Sequence, residues 1–506
     1  MRFTTDRSLH VQRRSRRAFQ ALIATTLAVA AVSVASGSTA LAHGSNNLPL
    51  GSLYNVVDQI GARDLWNAGY TGRGINVAIV DTGITPVAAL SAPGKVVAAV
   101  DLSGEGQLAE ARNLDTYGHG THIAGIIAGR QPGKSPRNAD EHPEWFMGVA
   151  PGAGLVSVKV ADNTGATDIS QVIAGVDWVT DHAAQLDIRV LNLSYASGSP
   201  LPYTSDPLAY AVERAWKAGI VVVVSAGNSG NLSSTLTSPA LDPYVIAVAA
   251  VEATGNSSFS VPTWASSGDG VRNPDVAAPG AHIESLRVPG SRVDQEHPEG
   301  YVSDTLFKGS GSSQAAAVVS GAAALLLDAR PNLTNDQVKA LLQKRTVLAT
   351  PTNPALSGAG VIQVDRVVDR FVGPSPQAWT PATGDGSIEA ARNGQHISVN
   401  GTPIVGEVTV LGTSWSGTSW SGTRWSGTSW SGTSWSGGSW MGTSWSGTSW
   451  SGTSWSGTSW SGTSWSGTSW SGTSWSGTSW SGTSWSGTSW SGTSWSGTSW
   501  TGTSWS

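Results

Sequence analysis

Four short stretches of this chain carry side chains able to do chemistry. In Val77-Ala78-Ile79-Val80-Asp81-Thr82-Gly83 a carboxylate closes an apolar run and precedes a glycine turn; taken alone, Asp81 reads equally as a turn former or a helix cap. In Gly118-His119-Gly120-Thr121-His122 the glycines flanking His119 let backbone approach closely and leave the imidazole unobstructed. His119 and His122 lack the spacing and intervening Glu of a zinc-peptidase helix, so a metal pair is rejected and His122 is expected to be a core histidine. Gly309-Ser310-Gly311-Ser312-Ser313-Gln314 runs into an Ala-rich segment. Ser313 then sits near the positive end of a helix dipole and its free N–H groups, a place for a nucleophile but also for an N-cap serine. In Ser225-Ala226-Gly227-Asn228 an apolar run ends on one amide, which either shapes the turn or donates to a developing oxyanion.

Taken together these groups can perform acyl transfer: a hydroxyl activated by an imidazole, the imidazole oriented by a carboxylate, and an amide donor for the oxyanion. Composition removes competing chemistries. The chain has no Cys, which excludes disulfides, thiolate metal sites and a cysteine nucleophile. A net charge of -5 with 12% charged residues gives no basic face for phosphates, so nucleic acid is excluded as a partner.

The elements that must position these groups are legible as an alternation. Apolar runs at 75–80, 155–160, 188–193, 220–224 and 245–251 have the character of strands covered on both faces. Between them, Ile169, Val172, Ile173, Val176 and Val179 follow a 3.6-residue period after Thr167-Asp168, and Pro207 to Gly219 reads as a further helix. Two helices close the block, Ser313 to Ala329 and Thr334 to about Arg345, where Thr334 and Gln337 have capping-box spacing. Alternating strands and helices imply an α/β fold with a mostly parallel sheet, whose reactive groups gather at the carboxyl ends of the strands.

Around this block lie segments of other character. Residues 1–42 read as an export signal: Arg13-Arg14-Ser15-Arg16-Arg17, an apolar run from Ala21 to Ala35, and Ala40-Leu41-Ala42 as the cleavage site. Ser15-Arg16-Arg17-Ala18-Phe19 resembles a twin-arginine signal, and an ordinary secretory leader with extra arginines fits the same residues. The run is too rich in Ala, Ser and Thr for a membrane span of about 20 apolar residues, so the mature chain is expected to be secreted, extracellular or cell-wall associated, with no transmembrane segment. Residues 43–52 form a short N-terminal segment, 53–370 the enzyme, and 371–411 a Pro- and Gly-containing linker with one short β segment near His396 to Val410.

From Gly412 onward the chain repeats Gly-Thr-Ser-Trp-Ser, interrupted by Arg424, Gly438, Met441 and Thr501. Of 25 Trp only Trp66, Trp145, Trp178, Trp216, Trp264 and Trp379 precede this tail. An odd period denies a simple strand a single Trp face. A solenoid with one repeat per side and a mobile Gly/Ser tail are both compatible with the pattern, and regular Trp could contact cell-wall polymer or polysaccharide.

The order Asp81, His119, Ser313 and the surrounding motifs resemble the subtilisin-like serine peptidases from about Leu53 to Val368. The stretches that carry the resemblance are VAIVDTGI (77–84), YGHGTHIAGIIAG (117–129), GVAPGAGLVSVKV (148–160), VVVVSAGNSG (221–230), SPALDPYVIAVAA (238–250), DVAAPG (275–280) and the serine helix. The resemblance implies a three-layer α/β fold and a secreted serine endopeptidase acting on proteins or peptides as a monomer. Ser313 is then the nucleophile, His119 the general base and acid, Asp81 its orienting carboxylate, and Asn228 with the Ser313 N–H the oxyanion hole. Ser194, Tyr195 and Ala196 form the edge to which substrate adds as a strand, and Ser225, Ala226 and Gly227 line the main pocket. Such apolar walls imply broad or hydrophobic specificity.

The chain also departs from that family. Gln314 and Ala317 stand where Met and Pro are usual in Gly-Thr-Ser-Met-Ala-Ala-Pro-His, and Tyr195-Ala196 where Leu-Gly is common. Pro86-Val87-Ala88-Ala89-Leu90 lacks the acidic stretch usual after the catalytic Asp. Asp140, Glu141 and Glu144 are oxygen ligands for calcium or simply solvated loop charge, so no metal site is assigned and no cofactor is required for the chemistry. The interval from His43 to Asp81 leaves no room for a folding prodomain. The competing reading, a catalytically impaired surface-binding protein acting through its Trp repeats, is opposed by the joint presence of Asp81, His119, Asn228 and Ser313. An α/β-hydrolase esterase is opposed by the lack of a Gly-x-Ser-x-Gly elbow around Ser313.

Overall fold

The computed structural model describes residues 47–411, except 109, 233 and 400, together with Trp415; for 425–426 and 429–502 it gives backbone pairing alone. The export leader read at 1–42 lies outside the described residues.

Ten strands follow one another in the enzyme block: β1 (Asn76–Asp81), β2 (Val96–Asp101), β3 (Gly154–Lys159), β4 (Ile188–Leu193), β5 (Val221–Ser225), β6 (Ile246–Gly255), β7 (Ser258–Ser260), β8 (Val276–Pro279), β9 (Ile283–Leu286) and β10 (Leu306–Gly309). The first eight form one sheet in the order β2-β3-β1-β4-β5-β6-β7, with β8 also on β6. Every pairing is parallel except β6 with β7. The main helices are α1 (Leu53–Gln59), α2 (Ala62–Asn67), α3 (His119–Ala128), α4 (Ile169–His182) and α5 (Pro207–Lys217), followed by α6 (Arg292–Glu296), α7 (Ser312–Ala329), α8 (Asn335–Leu342), α9 (Pro354–Ser357) and α10 (Ile388–Arg392).

The apolar runs became strands because nearly every residue in β3, β4 and β5 is buried whichever way it points, which requires cover on both sides of the sheet. The pairs α3/α7 and α4/α5 supply those layers. At the sheet edge β2 alternates half-buried and exposed residues, and the sequence pattern missed it for that reason. α7 is long and apolar enough to cross a membrane, yet Ser312 to Leu327 are all buried; its Ala-rich composition is that of a core helix. One polar pair ties it to the sheet, where the Ser320 hydroxyl donates to Asn192 Oδ1 at 2.9 Å.

The capping box anticipated at α8 is present, and α4 has a second that was not anticipated from sequence. Thr334 and Gln337 cap α8 reciprocally, and Asp168 does the same with Gln171 at α4.

Register places the chemistry. Asp81 lies opposite Lys159, Val80 opposite Leu193, Leu193 opposite Val224, and Ser225 opposite Val248. The carboxyl ends of β1, β4 and β5 therefore finish nearly level, and the loops leaving them share one rim.

Residues 371–411, read from sequence as a linker, run along the domain surface and include β11 (Ser398–Val399) paired with β12 (Thr402–Pro403). They are anchored by buried polar contacts: the Ala382 N–H donates to Glu213 Oε1 at 2.6 Å, and Arg392 pairs with Asp168 at 2.5 Å with both side chains buried. In the repeat tail, residues 429–502 are extended, and Trp425 and Ser426 pair in parallel with Trp445 and Ser446, four repeats further on.

Candidate active site

Asp81 is the last residue of β1. One oxygen of its carboxylate accepts from the Thr82 N–H at 2.8 Å and lies 2.8 Å from His119 Nδ1. A carboxylate can only accept, so this contact puts the proton of a neutral His119 on Nδ1 and leaves Nε2 as the basic nitrogen. His119 Nε2 is buried without a hydrogen-bond partner among the described residues. Both residues are about nine-tenths buried, each 7% exposed.

The His119 turn is possible because of its glycines. Gly118 has φ +110° as the residue preceding α3, and a Cβ on Gly120 would meet the Gly83 carbonyl oxygen at 2.2 Å. That close approach brings the start of α3 against the turn after β1.

Electrostatics follow from this geometry. Burial disfavours the His119 imidazolium, but the charge and hydrogen bond of Asp81, with Asp115 adding to them, outweigh it and raise the imidazole pKa. His122, one turn on, is pushed down to about 3 by burial and by His119. It is 4% exposed, a neutral core histidine as the sequence suggested.

Ser313 is the second residue of α7 and 1% exposed. Its N–H belongs to the first helical turn, whose donors have no intrahelical acceptor. Asn228 lies beyond the end of β5, and its Oδ1 accepts the Ser312 N–H at 2.9 Å. The Ser312 hydroxyl in turn accepts the Gly227 N–H at 3.1 Å. The loop after β5 and the start of α7 are thus locked together. No hydrogen bond joins Ser313 to His119 in this state; such contacts are often long before substrate binds.

The residues expected to meet substrate lie on the same rim. Ser194, Tyr195 and Ala196 follow directly from β4, and the Asn192 amide donates to the Ser194 hydroxyl at 3.0 Å. Ser225 ends β5, followed by Ala226 and Gly227, all buried. Gly227 has φ +113°, and a Cβ there would meet the Ser266 hydroxyl at 2.7 Å, so only glycine fits. Gln314, Gly309, His119 and His122 line one cavity with Phe307 and Leu286.

Of the acidic residues weighed as calcium ligands, Asp140 pairs with Arg63 at 3.0 Å and accepts from Asn67. Glu144 pairs with His142 at 3.0 Å. Among the described residues no group of three or more His, Asp or Glu is placed to hold a metal ion.

Sequence reasoning missed two groups under the triad. Lys159, fully buried in β3, donates to the Thr82 carbonyl at 2.8 Å and pairs with Glu105 at 3.0 Å. A lysine inside an apolar strand was the available signal. Asp115, four residues before His119, is 1% exposed; an acid just before a helix start was its signal.

A profile of the subtilase family matches residues 72–373. The chain is 36% identical over 312 residues to serine protease AprX of Bacillus subtilis (strain 168), covering 59% of this chain and 67% of that relative. It is 35% identical over 304 residues to subtilisin DY of Bacillus licheniformis, covering 59% of this chain and 92% of the relative. Subtilisin E of Bacillus subtilis (strain 168) is 34% identical over 313 residues, with 61% and 69% covered. These similarities and the fold define a serine-type endopeptidase. The chain belongs to the subtilase family.

Proposed function

We propose that the protein hydrolyses peptide bonds outside the cell through an acyl-enzyme on Ser313. The observation that carries this reading is the 2.8 Å contact of His119 Nδ1 with Asp81, which leaves Nε2 basic at the rim shared with the start of α7. His119 Nε2 takes the Ser313 proton as the hydroxyl attacks the carbonyl carbon, and later gives it to the leaving amine; Asp81 stays ionised and supports the imidazolium. The oxyanion is met by the Asn228 amide and the Ser313 N–H, both fixed before substrate arrives.

Substrate lies as an added strand along residues 194–196 and presents one side chain to the walls made by 225–227. Those walls carry no charged group, which favours uncharged, hydrophobic or varied side chains. Export rests on the basic-then-apolar leader and its Ala40-Leu41-Ala42 site.

The test is casein hydrolysis together with labelling by a serine-directed phosphonate. The intact enzyme is expected to be inhibited with one phosphonate on Ser313, and Ser313→Ala to lose roughly 10⁶-fold in kcat. Hydrolysis that survives that substitution would overturn the reading and leave a different nucleophile to be found.

A further inference from the structure

Two buried groups outside the triad, Asp115 and Thr82, converge on the turn that carries His119. Asp115 Oδ1 accepts the Gly118 N–H at 2.6 Å and the Thr82 hydroxyl at 2.8 Å. Its Oδ2 accepts the Thr121 N–H at 2.7 Å. The Thr82 hydroxyl in turn accepts the Gly120 N–H at 2.8 Å. Every residue from Gly118 to Thr121 other than His119 itself thus has its N–H held by this pair. Thr82 is the neighbour of Asp81, and its own N–H is bonded to the Asp81 carboxylate.

We propose that Asp115 and Thr82 are positioning residues of this site: a buried carboxylate and hydroxyl that clasp the His119 turn of α3 to the end of β1, and so set the His119–Asp81 contact. The inference rests on the triad reading above, since neither group touches substrate.

The donors around Asp115 favour its ionised form. The two N–H groups can only donate, and the Thr82 hydroxyl, already accepting from Gly120, has its proton left for Asp115. Burial pushes the Asp115 pKa up, while the Gly118 and Thr121 N–H groups and the Thr82 hydroxyl oppose it. The carboxylate also lies at the N-terminal end of α3, where negative charge is favoured. It is thus a second negative charge behind the imidazole, and Asp115 adds to the rise in the His119 pKa.

The other charged or titratable groups around the turn are Asp81 on β1, Lys159 on β3 with its partner Glu105, Tyr117 on the loop, His122 one turn along α3, and Arg287, Arg292, Asp294, Glu296 and His297 on or beside α6, which packs against the same turn. Lys159 binds the Thr82 carbonyl and so steadies the same residue from its other side. The clasp therefore has both a geometric and an electrostatic output.

The experiment compares Thr82→Val, Thr82→Ser and Asp115→Asn in the full chain. Thr82→Val keeps shape but removes the hydroxyl; kcat should fall roughly 10-fold to 10²-fold, the scale of a misplaced catalytic group, with KM little changed. Thr82→Ser should restore most of the loss. Asp115→Asn removes the charge, and the acid limb of kcat/KM should move down by about half a pH unit or more. If Asp115→Asn does not fold, Thr82→Val alone decides. Wild-type kcat and pH profile in Thr82→Val, or failure of Ser to restore what Val loses, overturns the proposal. Phosphonate labelling of Ser313 in the unmodified enzyme, measured in parallel, separates this outcome from failure of the triad reading: unlabelled Ser313 sinks the triad, labelled Ser313 with an indifferent Thr82→Val sinks only the clasp.

Discussion

Asn228 accepts the Ser312 N–H on its side-chain carbonyl oxygen at 2.9 Å, so the amide is oriented by the residue adjoining the nucleophile. With the oxygen committed, the NH2 end is the one left to meet a developing oxyanion. The donor is thereby built into the resting fold and costs no reorganisation during reaction.

Replacing Asn228 by Ala should therefore lower kcat about 10²- to 10³-fold while KM changes little, because the lost bond strengthens only as negative charge appears. The loss is read from initial rates on a peptide anilide across a range of substrate concentration. A rise in KM at constant kcat would instead make Asn228 a ground-state binding group.

How much of this was legible in sequence depends on how local each signal is. The strand ending in Asp81 and the one preceding Asn228 were visible because burial on both faces leaves an unbroken apolar run. Asn192, by contrast, sits within such a run and anchors Ser320 of α7, a contact between residues 128 apart that no periodicity reveals. Residues 371–411 looked like a linker because their attachments are scattered: polar contacts such as Ala382 to Glu213 and Arg392 to Asp168, and a few apolar residues such as Val372, Ile388 and Ala391 that enter the core without a long periodic stripe. Thr82 was read as part of a motif, but its tie to Asp115 depends on α3 folding back across the turn after β1.

The elevated His119 pKa fixes the sign of the pH dependence. His119 must be neutral to take the Ser313 proton, so activity is present above its folded pKa and is lost as pH falls through it. Because Asp81 and Asp115 outweigh burial and raise that pKa, the acid limb of kcat/KM should lie above the usual imidazole value of about 6.5. Asp81→Asn should shift the limb downward and lower kcat by about 10⁴-fold through loss of the correct tautomer. A limb below the usual value in the unmodified enzyme would contradict the electrostatic account.

Arg392 of α10 and Asp168 at the cap of α4 form an ion pair whose side chains are 1% and 0% exposed. Asp168 also accepts the Ser170 N–H at 2.9 Å, so one carboxylate serves both the helix cap and the C-terminal segment. Arg392→Met should destabilise the folded chain by about 3–5 kcal/mol, since it strands a buried charge. Adding Asp168→Asn, which neutralises that charge and keeps a capping side chain, should recover part of the loss. Denaturant midpoints of the two single variants and the double variant give the coupling; strictly additive effects would mean the pair does not act as one unit.

Gln314 follows the nucleophile in α7, is 3% exposed and lines the cavity that holds His119 and His122. A thioether at this position would be oxidised by peroxide to a larger, polar sulfoxide against the nucleophile; an amide has no such step. Met147, elsewhere in the domain, is 3% exposed. The enzyme should therefore keep most of its activity in dilute peroxide, whereas Gln314→Met should lose most of its own over the same interval while remaining folded by circular dichroism. Methionine sulfoxide reductase should return the lost activity of that variant. Rapid peroxide inactivation of the unmodified enzyme would place the sensitive group elsewhere, with Met147 the first to replace.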